Sequence, residues 1–303
     1  MGDIAVDAVD AGLARTLKDL FAGAVGGVAQ VLIGQPFDIV KVRLQTTQQY
    51  SSALDAATQI YKKEGALSFY KGTLTPLIGI GACVSVQFGA FYEAQRTLES
   101  WNKTHHPATP SLSFPQYYLA GAFAGLANTV LSSPIEHIRI RLQTQPHGAN
   151  ALYSGPLDCT RKLISQGGGI THGLYRGSVI TLVREAQAYG FWFLTFEYLM
   201  SRETRTRKRE DVPAWKVALY GGLAGEALWL ASYPMDVVKS RLQTDEVQRE
   251  KQRYRGTWDC VRKTYMVEGL GGFWRGIGPT LLRAMPVSAG TFFTVETVMR
   301  LMG

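Results

Sequence analysis

Two arginines and a glutamate lie in segments of the chain that otherwise carry almost no charge. Arg184 and Glu185 follow Gly177 by seven and eight residues, and Arg283 follows Gly276 by seven. Guanidinium groups can hold a carboxylate by paired hydrogen bonds, and a carboxylate can hold an ammonium group. A keto acid or a phosphate would need cations without a neighbouring acid. These residues therefore predict a binding site for a small molecule that carries both signs of charge.

The residues around this site belong to a sequence repeat. The decamer PFDIVKVRLQ begins at Pro36. Related decamers begin at Pro134, 98 residues later, and at Pro234, a further 100 residues along. Each copy has an acid two residues after the proline, a base three residues later, and then Arg-Leu-Gln. Because the acid and the base are three residues apart, they share one face of a helix. A proline inside a helix removes a hydrogen-bond donor and favours a kink.

Two further signals keep the same register as the prolines. A pair of glycines four residues apart begins 13 residues before each proline, as expected where helices approach closely. Downstream, each repeat has an aromatic residue followed by a base and a glycine. The glycine pairs are Gly23 and Gly27, Gly121 and Gly125, and Gly221 and Gly225; the downstream glycines are Gly72, Gly177 and Gly276.

A period of about 100 residues accommodates two membrane-spanning helices and a connecting segment. The pattern predicts an all-α membrane protein of six transmembrane helices, with pseudo-threefold symmetry around a central cavity. The predicted spans are 15–44, 73–100, 115–143, 178–201, 213–243 and 277–301, with short amphipathic helices within 46–71, 144–176 and 244–275. The predicted units are a disordered tail at 1–14 and repeats at 15–100, 113–201 and 213–303.

Composition agrees with this organisation. The net charge is +8, but only 18% of the residues are charged and 46% are hydrophobic, which excludes intrinsic disorder. Three cysteines exclude a disulfide scaffold, and their spacing predicts no metal site. The basic run 202–209 leaves a soluble nucleic-acid-binding protein as an alternative class. Its place between two spans favours a loop near anionic lipid instead, and no nucleic-acid partner is predicted.

The triplicated motif, together with the aromatic-base-glycine signature, resembles the mitochondrial carrier family. The resemblance covers nearly the whole chain, from about Leu17 to Leu301. It implies a six-helix bundle in the mitochondrial inner membrane that moves metabolites through a central cavity. It implies a transporter rather than an enzyme, without a cofactor, working as a monomer among membrane lipids that could include cardiolipin on the matrix side.

The resemblance also implies a ring of ion pairs that closes the cavity on the matrix side. The implied pairs are Asp38 with Arg139, Glu136 with Lys239, and Asp236 with Lys41, and the implied braces are Gln45, Gln143 and Gln243. Independent surface ion pairs at helix ends are the alternative. His137, next to Glu136, is expected to point to the surface.

A second ring, on the cytoplasmic side, is expected to be weak. In the family this pattern is an aromatic residue and an acid, followed three residues later by a base. Tyr92, Glu93 and Arg96 fit it, whereas the copies at Glu197 and Glu296 have methionine in place of the base. The sequence therefore predicts that the cytoplasm-open state is favoured at rest.

The resemblance implies three substrate contact points at a similar depth in the bundle. Arg184 and Glu185 match the second contact point, and Arg283 matches the third. The first contact point maps to uncharged residues that include Cys83 and Gln87. Trp229 matches a tryptophan of carnitine and ornithine-type carriers and offers a face for a cation.

Two alternatives stay open at this site. Arg184 and Glu185 could pair with each other, and Glu226 could contact the substrate or neutralise an arginine. The charges predict alternating-access transport of a zwitterionic or basic amino acid, by exchange or uniport. A carnitine or acylcarnitine carrier is the alternative within the family. An adenine nucleotide carrier is disfavoured. That type is known by an Arg-Arg-Arg-Met-Met-Met run after the third motif proline, where this chain reads KSRLQT.

Overall fold

The structure is a computed structural model, and it describes residues 2–105, 111–146, 148–206 and 208–302. Within these residues the chain forms six long helices and three short ones, with no strand. The long helices are α1 (Gly2–Thr46), α3 (Leu74–His105), α4 (Phe114–Thr144), α6 (Ser178–Glu203), α7 (Ala214–Thr244) and α9 (Ile277–Met302). The short helices are α2 (Ala53–Glu64), α5 (Pro156–Gln166) and α8 (Thr257–Glu268). The predicted all-α fold of three two-helix repeats is confirmed.

Each long helix has the length that a bilayer requires. The shortest two have 26 residues, which at 1.5 Å per residue is about 39 Å, against about 30 Å of hydrocarbon. By hydropathy, Phe21–Thr46 is apolar enough to span a membrane, and Ala66–Gly79 with Gly81–His105 forms a second candidate bent by 51°. The charged residues of α6 and α9 lower the hydropathy of those helices.

The first helix begins earlier than predicted. It starts at Gly2, so residues 2–14, predicted as a disordered tail, are helical in the structure. The segment is rich in alanine, the strongest helix former. This local preference explains why the helix extends beyond the apolar span.

The three motif prolines lie inside α1, α4 and α7. The segments that follow them are the most buried parts of two of these helices: residues 39–45 of α1 and 236–243 of α7 are buried throughout. The ends of the three helices therefore converge, and this convergence brings the motif side chains of different repeats together.

The glycine of each aromatic-base-glycine signature starts the turn into the second long helix of its repeat. Gly72, Gly177 and Gly276 have φ values of 76°, 80° and 87°, which side chains disfavour. A Cβ at Gly72 or Gly276 would also lie 3.0 Å from the carbonyl oxygen of Arg139 or Lys41, respectively. Both the backbone angle and the close approach require glycine there.

The glycine pairs are not equivalent in the three repeats. A Cβ at Gly125 would lie 2.4 Å from the carbonyl oxygen of Glu185, and one at Gly121 would lie 2.5 Å from that of Tyr189. At the pairs of the first and third repeats, a Cβ would meet nothing within 4 Å. Accordingly, α4 packs far more extensively on α6 than α1 does on α3 or α7 on α9. The predicted close approach at the glycine pairs is thus present in the second repeat only.

We expect Gly125→Ala to destabilise the protein and its repeat equivalent Gly27→Ala to leave it as stable or slightly more stable. The methyl group at Gly125 would press on backbone atoms that cannot rotate away, at a cost of about 1–3 kcal/mol. At Gly27 the methyl group has room, and alanine favours a helix by about 0.5–1 kcal/mol. Thermal unfolding in detergent measures both. Equal shifts in the two variants would contradict this asymmetry.

Candidate functional site

Three ion pairs lie just beyond the motif prolines, and each joins two different helices among α1, α4 and α7. Their side chains are mostly buried, unlike ion pairs on a free surface. The pairs are Asp38 with Arg139 at 2.7 Å, Lys41 with Asp236 at 2.7 Å, and Glu136 with Lys239. We call these six residues the ion-pair ring; its members are the partners that the sequence resemblance implied.

The three glutamines that end the motifs differ in their contacts. The side chain of Gln45 donates to Asp236 at 3.0 Å and accepts from Ser240 at 2.8 Å. In contrast, Nε2 of Gln143 and both polar side-chain atoms of Gln243 are buried without a partner among the described residues. Only Gln45 makes the bracing bond that the resemblance implied.

A glutamine outside the motif braces a second pair. Gln35 accepts a hydrogen bond of 2.6 Å from Arg139 and donates one of 2.7 Å to the backbone oxygen of Lys71. It is fully buried and directly precedes Pro36. Sequence reasoning missed it because the other two repeats have serine and tyrosine at this position.

Arg184 connects the predicted substrate residues to the ion-pair ring. It contacts Glu185, the next residue, and its Nη2 lies 3.3 Å from both carboxylate oxygens of Glu136. Both Arg184 and Glu185 are buried. The arginine therefore bridges a ring acid and an acid of the central cavity, so the alternative of an Arg184–Glu185 pair describes only half of its contacts.

Arg283 makes the same kind of connection from α9. Its Nη1 lies 2.9 Å and 3.1 Å from the two carboxylate oxygens of Asp38, which also pairs with Arg139. The two arginines predicted to hold a substrate carboxylate thus each hold a ring acid in this conformation.

Trp229 lies beside these charges, but its ring face is covered by the protein itself. The ammonium nitrogen of Lys41 lies 4.1 Å from the ring centroid, and the guanidinium carbon of Arg283 lies 5.6 Å from it. Both are within the range of a cation–π interaction. Trp229 therefore stabilises Lys41 of the ion-pair ring and Arg283 of α9, in addition to lining the cavity.

The remaining predicted contact residues differ in whether they line the central cavity. Gln87 is buried and lines the central cavity, whereas Cys83 lines only a side pocket of it. Glu226 is partly buried, does not line the cavity, and makes no ion pair with a described residue. Both roles considered for Glu226 therefore lack a direct contact in this structure.

At the other end of the bundle, the predicted acids pair locally. Glu93 contacts Arg96 at 2.8 Å and Glu296 contacts Arg300, each within one helix, while Glu197 pairs with the nearby Arg209 at 2.9 Å. Tyr92 is exposed. Among the described residues, no ion pair of these acids joins different repeats.

The bundle encloses a central cavity of about 650 Å³ that ends on the ion-pair ring. Five basic and four acidic side chains line it. The bases are Lys41, Arg139, Arg184, Lys239 and Arg283, and the acids are Asp38, Glu136, Glu185 and Asp236. This lining can bind a small molecule that carries both signs of charge.

The cavity also has neutral lining residues that sequence reasoning missed. Gln30, Asn128 and Leu228 each lie six residues before a motif proline, and each lines the central cavity or its side pocket. Tyr189 and Trp192 of α6 add aromatic surface. The register of the repeat contained a signal for the first three, since equivalent positions face the same axis.

The position of His137 differs from the one expected from the sequence. It was expected at the surface, yet it is fully buried between the second and third repeats. Its ring nitrogens lie 2.9 Å from the backbone oxygen of Leu174 and 3.0 Å from that of Gln243, and Arg141 donates to it. Because the helix ends converge, the side of α4 next to Glu136 is covered by its neighbours.

Comparison with known proteins identifies the family of this chain. The sequence matches the mitochondrial carrier protein family three times, at residues 13–101, 110–205 and 210–303. The chain belongs to this family. It is 47% identical to the mitochondrial glycine transporter YMC1 of Saccharomyces cerevisiae over 96% of this chain and 93% of that one.

Two other relatives of this carrier are similar over comparable lengths. The glutamate/glycine mitochondrial carrier ymc1 of Schizosaccharomyces pombe is 46% identical over 94% of this chain and 95% of its own. The human mitochondrial basic amino acids transporter is 40% identical over 93% of this chain and 89% of its own.

The carrier repeats also differ just beyond the ring. In the first repeat, Glu64 of α2 pairs with Arg43 and Lys71. Burial raises its pKa, but these two cations outweigh burial and lower the pKa to about 2. The second repeat has no glutamate there, and Asp245, contributed by the third repeat, pairs with Arg176 at 2.6 Å instead.

Proposed function

We propose that this carrier is a secondary transporter that crosses the mitochondrial inner membrane with six helices and carries a zwitterionic or basic amino acid by alternating access. The observation that carries this proposal is a single central cavity whose lining has both signs of charge and rests on the ion-pair ring. The compared relatives are named as carriers of glycine, glutamate and basic amino acids, which supports an amino-acid cargo.

The contacts of the two arginines suggest how substrate binding opens the ring. Arg283 holds Asp38 and Arg184 holds Glu136, so a substrate carboxylate that binds either guanidinium competes with a ring acid. The ring loses part of its stabilisation when the substrate arrives, and the substrate offsets that loss by its own charge-assisted bonds. In this account the ion-pair ring is the matrix gate, and the cytoplasmic end is the open one.

Acylcarnitine transport, the alternative within the family, is less well served by the site. Lys41 lies over the ring of Trp229, the aromatic residue that the resemblance assigned to a quaternary ammonium group. An amino-acid ammonium can instead donate hydrogen bonds to a carboxylate such as Glu185.

Anionic lipid is the proposed membrane partner on the matrix side. A pocket of about 400 Å³ lies between the starts of α6 and α8 and is lined by Arg176, Arg249 and Arg255. Backbone amides at Gly177 and Gly256 lie where each helix begins, which favours a phosphate. A cardiolipin headgroup fits this chemistry. We further propose a monomer built of the repeats 15–100, 113–201 and 213–303.

Uptake by purified protein in liposomes tests the proposal. We expect uptake of amino acids, and we expect Arg283→Ala and Glu185→Gln each to lower it at least tenfold, because each removes one of the charged groups predicted to hold the substrate. Arg262→Ala, which changes an exposed residue of α8, is the matched control and should retain uptake. Uptake of a keto acid or ADP alone, with no amino acid carried, would contradict the proposed cargo.

A further inference from the structure

The central cavity has an arm that reaches between α1, α3 and α4. This side pocket has a volume of about 280 Å³ and is lined on its far side by Cys83, Asn128, Ser132 and Ile135. It shares Glu185 and Arg283 with the central cavity, so one ligand can contact both spaces.

Two residues that line the side pocket each have a buried polar side-chain atom without a partner among the described residues. These atoms are Oδ1 of Asn128 and Oγ of Ser132, and the two residues are only 3% and 6% exposed. Buried polar atoms normally make hydrogen bonds, because desolvating them without a partner is costly. An amide oxygen can only accept, so at least one of the two atoms awaits a donor.

The charges around the two spaces differ. The side pocket is lined by three acids, Asp38, Glu136 and Glu185, and by two bases, Arg139 and Arg283. The central cavity has one more base than acids. The Nε of Arg139 is also unpartnered, but both bases of the side pocket already hold Asp38. By number of charged groups, acids outnumber bases in the side pocket, whereas bases outnumber acids in the central cavity.

We propose that the side pocket, through Asn128 and Ser132, binds the distal cationic group of a basic amino acid while the carboxylate of the substrate lies at the arginines of the central cavity. This inference rests on the proposed function and narrows its substrate class to lysine- and arginine-like amino acids. Ammonium and guanidinium groups supply the donors that these two atoms lack. Glycine fills only the central part of the site.

The side pocket also accounts for the missing acid at the first contact point. The sequence has Cys83 and Gln87 there, which by themselves serve a second cationic group poorly. The structure supplies acceptors from α4 instead, on a helix that faces the same space.

The test compares lysine, arginine, glycine and neutral amino acids in the liposome assay with the double variant Asn128→Leu, Ser132→Ala. Leucine is the residue that the third repeat has at the position of Asn128. We expect the ratio of lysine to glycine uptake to fall at least tenfold, because a buried cation loses its acceptors, while glycine uptake changes less than twofold. Ser132→Ala alone provides a milder variant should the double variant fail to fold, and its ratio should fall in the same direction.

Ser232→Ala and Thr129→Val are the matched controls. Each removes a buried hydroxyl that already bonds within its own helix and does not line the pocket. An unchanged ratio, or an equal fall for all substrates, would overturn the side-pocket inference. So would wild-type uptake of neutral amino acids without lysine or arginine, which would leave the proposed function intact. Absence of any amino-acid uptake would instead overturn the proposed function.

Discussion

Arg184→Ala should lower amino-acid uptake at least a hundredfold and destabilise the carrier. Its guanidinium is the contact between Glu136 of the ion-pair ring and Glu185 of the central cavity. Removing it leaves the buried carboxylate of Glu185 and the partly buried carboxylate of Glu136 with one cation fewer. Breaking a buried ion pair from one side costs about 3–5 kcal/mol. Uptake into liposomes and thermal unfolding in detergent measure the two effects.

Second substitutions separate these effects. Adding Glu185→Gln to Arg184→Ala removes one of the stranded charges, so the unfolding temperature should recover while uptake stays low. Arg184→Lys keeps the charge, but a single ammonium cannot span both acids as a planar guanidinium does, and intermediate uptake is expected. If Arg184→Ala retained both stability and full uptake, the link between the ring and the cavity would be wrong.

The second large effect is expected at the Lys41–Asp236 pair. Lys41→Asp places two acids face to face in a buried part of the ring, and we expect at least a hundredfold loss of uptake. The double variant Lys41→Asp, Asp236→Lys restores opposite charges across the same pair of helices. Its uptake should recover at least tenfold relative to the single variant.

This exchange tests pairing rather than mere presence of charge. Gln45 can accept as well as donate, so it can still bond a lysine at position 236. The swapped pair loses the stacking of Lys41 on Trp229, and recovery is therefore expected to be partial. A double variant no better than Lys41→Asp would indicate that these charges act independently of each other.

These predictions share one feature of the site. The ring acids Asp38 and Glu136 each have two cationic partners, one from the ring and one from a predicted substrate residue. Asp236 has Lys41 and Gln45. The predicted substrate arginines thus contact two of the three pairs, and the third has the glutamine brace. We therefore expect the pseudo-threefold ring to respond unevenly to a ligand.

The sequence by itself determined the helical repeat, and its resemblance to the carrier family implied the ring partners. Three motifs in one register place Asp38, Glu136 and Asp236 at equivalent positions around an axis, and the axis brings each acid to the base of another repeat. Arg184, Glu185 and Arg283 are likewise identifiable from the sequence, because they are charged residues within nearly uncharged segments. Symmetry makes such positions predictable, because it converts spacing along the chain into proximity in space.

The tertiary structure decided what symmetry does not specify. Which glutamine braces a pair, which glycine pair carries a close contact, and the burial of His137 all depend on how tightly two particular helices pack and which rotamers then fit. The side pocket at Asn128 and Ser132 exists only where α3 and α4 leave space beside the central cavity. Packing differs between repeats whose motifs agree, because side chains outside the motifs set the separation of the helices.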